Sequence, residues 1–269
     1  MSEAPDVTGW WATAISDIHP GIIRLRGYPV EELIGATSYA GMVWLLLRGE
    51  RPTPWQARLL DAALVAAVDH GPQAPSIAAA RMAATCGVGI NNAVATGVNL
   101  LGDVHGGAGE QCMTVLIDIL GRARAGAALD AAAGEVVDGY RARGAYVPGF
   151  GHRFHPRDPR RDPLLGLVAE ARVAGAVSGE YLDAALAVET RLGAGRARPV
   201  PMNIDGATAV IYSELGFPPP LGRGLFVLSR SVGILAHAWE ESQSGQRIKG
   251  PMPRPLLATY TGPAPRSVE

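Results

Sequence analysis

Residues 31–47 read EELIGATSYAGMVWLLL, and their apolar members decide the class of fold. Leu33, Ile34, Tyr39, Met42, Val43 and Leu46 recur mostly at three- and four-residue steps, the spacing of one face of an amphipathic helix. The same period returns along nearly the whole chain. Residues 55–69 follow two prolines, Pro52 and Pro54, and place Leu59, Leu60, Ala63, Leu64 and Ala67 on one stripe. Ser76 is placed to cap a helix that runs through Ala84 and ends at Gly87. Further helices are expected over 91–101, 110–127, 131–143, 163–176, 181–192, 207–215 and 221–244. Strand-like character is confined to residues 22–28, IIRLRGY. The pattern predicts a mainly α fold.

Composition narrows the partners. Lys+Arg 24 against Asp+Glu 25 leaves a net charge of −1, without the basic excess that nucleic-acid binding needs. At 48% hydrophobic and 18% charged the chain is too apolar to stay disordered. Lys249 is the only lysine, and every other basic residue is arginine. Cys86 and Cys112 make no disulfide framework and lack zinc-site spacing. The start, MSEAPDVTGWW, has no signal-peptide pattern, and the greasiest run, residues 42–47, is too short to span a bilayer. A reducing, cytoplasmic setting with no membrane partner is the expectation.

Most of the chemistry-bearing residues gather at helix breaks, although Arg230 falls on the helix expected over 221–244. His105 stands in GDVHGGA, where glycines let a backbone approach a ligand; an exposed histidine in a glycine turn fits the same letters. Residues 145–163, AYVPGFGHRFHPRDPRRDP, form a long irregular stretch around His152 and Arg160. Arginine forks and an imidazole suit an oxygen-rich anion, although a solvated basic loop would look alike. Asp205, in MNIDG, reads locally as a helix N-cap. Arg230 lies among small and apolar residues, so it is either on a wet face or an anion clamp. His70 sits in VDHGP, beside a helix end. No P-loop, nucleophile elbow or HExxH motif occurs, and His152 with His155 lacks the company of further ligands, so no metal is expected.

In order, RGYPVEEL (26–33), VDHGP (68–72), GDVHGGAGE (102–110), PGFGHRFHPRDPR (148–160), MNIDG (202–206) and LSRSVGILAHAWE (228–240) resemble citrate synthase and its relatives. Those relatives are citryl-CoA lyase and the carboxy-terminal citryl-CoA-cleaving part of ATP-citrate lyase. The resemblance covers about residues 22–260 and implies a multi-helix fold with a large and a small helical domain. The subdivision it suggests is 1–150 with 207–269 as the large part and 151–206 as the small. It implies that His105 holds the thioester carbonyl and stabilises the acetyl-CoA enolate, and that His152 contacts the oxaloacetate carbonyl. In cleavage, a group at the His152 position would help to deprotonate the citryl hydroxyl. Asp205 would move the acetyl methyl proton, while His70, Arg160, Arg230 and, across a dimer interface, Arg254 would hold the dicarboxylate. The spacing from Arg254 to Tyr260 departs slightly from the family pattern. The backbone of Pro148, Gly149, Phe150 and Gly151 would line the CoA site.

By the same resemblance the substrates are citryl-CoA, acetyl-CoA and oxaloacetate, no cofactor is tightly bound, and the protein is a homodimer. Two features favour a lyase: the chain starts near the shared core, and VDHGP lacks the acidic residue that follows this histidine in synthases. One feature runs the other way, because the ATP-citrate lyase module carries phenylalanine at the position of His105. Citrate synthase-type condensation, with this or another acyl-CoA and 2-oxo acid, is the alternative. A non-catalytic CoA-binding scaffold is a third reading, which His105, His152 and Asp205 together argue against.

Overall fold

A computed structural model describes residues 9–253 and 255–268. Three short antiparallel strands come first: β1 (Ser16–His19), β2 (Ile22–Leu25) and β3 (Tyr28–Pro29), with Ser16 opposite Leu25 and Leu25 opposite Tyr28. The expected arm over 22–28 is therefore broken at Arg26, which adopts φ 50, and Gly27. The Arg26 guanidinium donates to the Leu46 carbonyl at 2.6 and 3.1 Å, at the end of a helix where orphan carbonyls favour a cation.

Among the described residues, helices account for the rest of the regular structure. The helix expected over 31–47 is two, α1 (Val30–Leu33) and α2 (Tyr39–Arg48). Gly35, at φ +80, turns the chain, and the Ser38 hydroxyl restarts it by accepting from Gly41 N at 3.1 Å. Ile34 and Tyr39 flank that break and are exposed, whereas Leu33, Val43 and Trp44 are buried. Then follow α3 (Pro54–Ala67), α4 (Pro75–Ala84), α5 (Ile90–Val98), α6 (Ala108–Arg124), α7 (Leu129–Ala142), α8 (Arg161–Val173) and α9 (Glu180–Gly193). The last two are α10 (Ile204–Glu214) and α11 (Pro219–Gln243). Each lies within a few residues of its expected span.

Packing separates two compact units. The first runs to Ala67 and resumes over Gly106–Leu228; the second is Val68–His105 with the chain from Ser229 onward. These boundaries differ from 1–150, 151–206 and 207–269, and residues 151–206 fall wholly inside the first unit. In the first unit α10 packs against α3, α6, α8 and α9. Its residues Gly206–Ser213 are all buried, the mark of a helix enclosed by its neighbours. In the second unit Ile77, Ala80, Ala93, Ile234 and Ala238 form a separate small core.

The second unit also buries an ion cluster. Glu241, 2% exposed, accepts from Arg81 Nε at 2.6 Å and from Lys249 Nζ at 2.9 Å. The backbone N–H of Lys249 donates to Thr85 Oγ1 at 2.9 Å, so the chain's one lysine fastens the tail to the end of α4. Burial pushes the Glu241 carboxyl up, but the two cations outweigh it and hold it below its ordinary 4.5. Its contribution is therefore complete above pH 4.5 and fades as pH falls through the lower folded value. Glu241→Ala strands two cations beside each other and is expected to cost about 3–5 kcal/mol in urea unfolding at pH 7.

Candidate active site

The first unit assembles the loop before α8 with the start of α10. Gly149 adopts φ +85, and a Cβ there would lie 2.7 Å from Cys112 Sγ on α6 and 2.9 Å from the Cα of Gly206. A Cβ on Gly206 would in turn strike the Gly149 carbonyl. Two glycines thus let the PGFG turn press onto α10 with no side chain between them. Asn203 sews the contact: its N–H donates to Gly149 O at 3.0 Å, and its Nδ2 donates to Gly151 O at 2.7 Å. Gly151 N–H donates to Pro201 O at 2.7 Å, and Phe150 is buried opposite Met202. The backbone of Pro148, Gly149, Phe150 and Gly151 is a preformed wall with much of its hydrogen bonding already committed.

Asn203, not Asp205, caps α10, its Oδ1 accepting from Asp205 N at 2.9 Å and Gly206 N at 3.3 Å. Asp205 sits in the first helical turn, half-buried. Its negative charge adds to burial in pushing the Cys112 thiol up. The local reading of Asp205 as a cap is corrected, because both Asn203 and Asp205 are capping types and the earlier residue takes the N–H groups.

Arg160 is held by a residue that the motif reading passed over. Asp158, 1% exposed, accepts from Arg160 Nε and Nη2 at 2.9 Å each, from Arg160 N at 3.0 Å and from Ile204 N at 3.0 Å. Burial raises the Asp158 carboxyl, but the Arg160 fork and backbone N–H groups hold it below its ordinary value. One carboxylate thereby locks the loop to α10 and aims a guanidinium. The solvated-loop reading of this stretch does not hold at Asp158. An aspartate two residues before an arginine, across a proline, was the available signal.

His152 turns its Nδ1 to the backbone, accepting from Phe154 N and His155 N, both at 3.1 Å. A nitrogen that accepts two N–H groups carries no proton, so the neutral ring has its proton on Nε2. His152 is thus a donor here, which fits a carbonyl or alkoxide oxygen better than removal of a hydroxyl proton. Beside it lies a cavity of about 560 Å³ lined by residues 151–156 and 198–201, including Arg153 and Arg198.

The second unit holds His70, His105 and Arg230. His105 Nε2 lies 3.2 Å from Ser76 N, which donates to it, and 2.9 Å from Ser76 Oγ. Its proton must therefore sit on Nδ1. Ser76 does not cap α4; Ala74 is the cap position, Pro75 begins the helix, and the Ser76 N–H serves His105 instead. Arg230 is 3% exposed, which excludes the wet-face reading, and it carries its charge near His105. His70 is exposed on the turn after α3. Arg254 lies outside the described residues.

Both imidazoles are held neutral. Burial and then Arg230 lower His105, while burial and then His155, with Arg160, lower His152 against the opposing pull of Asp158. Since both fall below 6.5, the neutral form is the majority at that pH. We expect the acid-side fall in kcat/KM to have its midpoint below pH 6.5. A pH–rate profile centred at or above 6.5 would contradict this. Among the described residues no group of three or more His, Cys, Asp or Glu is placed to hold a metal ion, and no helix is long and apolar enough to cross a membrane.

The citryl-CoA lyase of Hydrogenobacter thermophilus is 33% identical, with a TM-score of 0.83 over 96% of this chain and 97% of that one. ATP citrate lyase of Methanosaeta concilii, in complex with (3S)-citryl-CoA, has a TM-score of 0.76 at 20% identity, a likeness of fold. It covers 97% of this chain and 43% of its own. Citrate synthase of Haloferax volcanii is 30% identical over 88% of this chain and 59% of its own length. The chain spans about half the length of the curated relatives it matches. The family described as citrate synthase, C-terminal domain, matches residues 47–255, and the chain belongs to the citrate synthase family.

Proposed function

We propose that the protein cleaves citryl-CoA to acetyl-CoA and oxaloacetate through an acetyl-CoA enolate. One observation carries the proposal: His105 and His152 are each fixed by backbone N–H groups as neutral donors, through opposite ring nitrogens. A thioester α-carbon becomes a leaving carbanion only if its oxygen finds a donor that is already in place. His105 Nδ1–H supplies that donor to the thioester carbonyl. His152 Nε2–H bonds the oxygen on the tertiary carbon. The hydroxyl proton passes to a solvent water, leaving an alkoxide whose electrons form the oxaloacetate carbonyl. The carbon–carbon pair then moves into the thioester as an enolate, and Asp205 in its acid form protonates the methylene carbon. His70, Arg160 and Arg230, with Arg254, are proposed to hold the carboxylates, and the PGFG wall with its adjoining cavity to take the CoA thioester. No tightly bound cofactor is called for.

Cleavage without thioester hydrolysis is favoured by the likeness to citryl-CoA lyase, which extends over nearly all of both chains. The 30% identity to a citrate synthase favours the second reading, condensation followed by hydrolysis. Citryl-CoA incubated with the protein and a thiol reagent separates them. Acetyl-CoA plus oxaloacetate without free thiol supports the lyase; free CoA with citrate supports the synthase. Turnover of neither citryl-CoA nor acetyl-CoA with oxaloacetate removes both readings.

A homodimer is part of the same proposal. Val232, Leu235 and Trp239 form an exposed apolar stripe at i, i+3 and i+7 on α11, a face that a second copy would cover. Light scattering should then give twice the monomer mass. If Arg254 serves the partner's site, a fully active monomer contradicts that assignment.

A further inference from the structure

One face of α11 does more than carry Arg230. Arg230, Gly233 and His237 stand at i, i+3 and i+7, in line along the helix. Gly233 N–H donates to the Val68 carbonyl at 3.1 Å, and a Cβ on Gly233 would strike that oxygen and come within 2.9 Å of Asp69 Oδ1. One turn further on, His237 Nε2 lies 3.2 Å from Asp69 Oδ1. The other Asp69 oxygen accepts from Gly71 N at 3.2 Å, closing a turn with His70 at its tip. Gly71 makes that turn at φ +84. Burial raises the Asp69 carboxyl, but Gly71 and His237 together draw it below its ordinary value. The helix that bears Arg230 thus also grips the turn that bears His70, through one glycine and one histidine.

We infer that His237 is a positioning residue for the dicarboxylate: through Asp69 it fixes the turn that presents His70 in register with Arg230. The inference rests on the proposed role of His70 and Arg230 in holding the carboxylates. The exposed Glu240 also lies near the ring, 3.9 Å from His237 Nδ1. His237 needs no contact with substrate for this task. Its effect should fall on oxaloacetate and leave the thioester alone.

The test is calorimetric binding of oxaloacetate and, separately, acetyl-CoA to the full chain. His237→Ala should weaken oxaloacetate about tenfold with acetyl-CoA binding unchanged, and His237→Gln, which keeps a donor at similar reach, should restore most of it. Asp69→Ala should match His237→Ala, and the double variant should add little more, since both cut one link. If His237→Ala does not fold, Asp69→Ala against wild type carries the same comparison. Unchanged oxaloacetate affinity in the variants, equal weakening of both ligands, or additive losses would overturn the inference. His70→Ala is measured alongside. If it weakens oxaloacetate while His237→Ala and Asp69→Ala do not, only the positioning role falls; if it has no effect, the dicarboxylate role of His70 falls too.

Discussion

Asp205→Asn is expected to slow citryl-CoA cleavage by about 10³-fold while leaving CoA affinity within a factor of two, the range that a positioned acid or base commands. The substitution is nearly isosteric and changes little in the fold. Capping of α10 is done by Asn203, and the main-chain bond from Asp205 N to Asn203 Oδ1 does not depend on the Asp205 side chain. What is lost is a group able to give a proton to the enolate carbon and take it back. Stopped-flow release of oxaloacetate, with isothermal titration of CoA, separates the two quantities. A loss of rate matched by a loss of CoA binding, or a rate within tenfold of wild type, would remove Asp205 from its assigned role.

His105→Ala should follow closely, with kcat lowered by about 10²–10³-fold, the typical cost of removing one preorganised oxyanion donor. The expectation depends on the ring being neutral and turned correctly. Ser76 N–H at the start of α4 secures both, because it bonds the lone pair of Nε2 and leaves the proton on Nδ1. The first turn of a helix also disfavours a positive charge there. His105→Gln retains an N–H donor of similar reach, so it should recover part of the loss. If the glutamine variant is no better than alanine, the histidine does more than donate a hydrogen bond.

Much of the fold is legible from periodicity, since a three- to four-residue apolar step needs no knowledge of the partner surface. Helices fail to be legible where a single turn residue decides. Gly35 splits the expected first helix, and the short polar strand SDIH carries no alternating signal. The division into units was also hidden, because Ile77 and Ala80 meet Ile234 and Ala238 across more than 150 residues of chain.

His70, His105, His152, Arg160 and Asp205 were readable as candidates because their motifs sit at helix breaks, and Arg230 because an arginine stands among small and apolar residues. Their partners were not. Ser76 looks like a cap in sequence, yet its N–H is used by a histidine 29 residues away. Asp158 looks like one charge in a basic loop, yet it is buried and bonds both Arg160 and the start of α10. Asp69 and His237 lie inside VDHGP and LSRSVGILAHAWE, but neither stretch shows that the two side chains meet. In each case the chemistry depends on a long-range hydrogen bond, and local pattern holds no record of such a bond.

The most direct measurement is citryl-CoA turnover in D₂O followed by mass spectrometry of the products. The enolate route predicts oxaloacetate together with acetyl-CoA bearing one deuterium in its methyl group, delivered through Asp205 after exchange with solvent. Citryl-CoA left intact, or converted to citrate and free CoA with no deuterated acetyl-CoA, would contradict it.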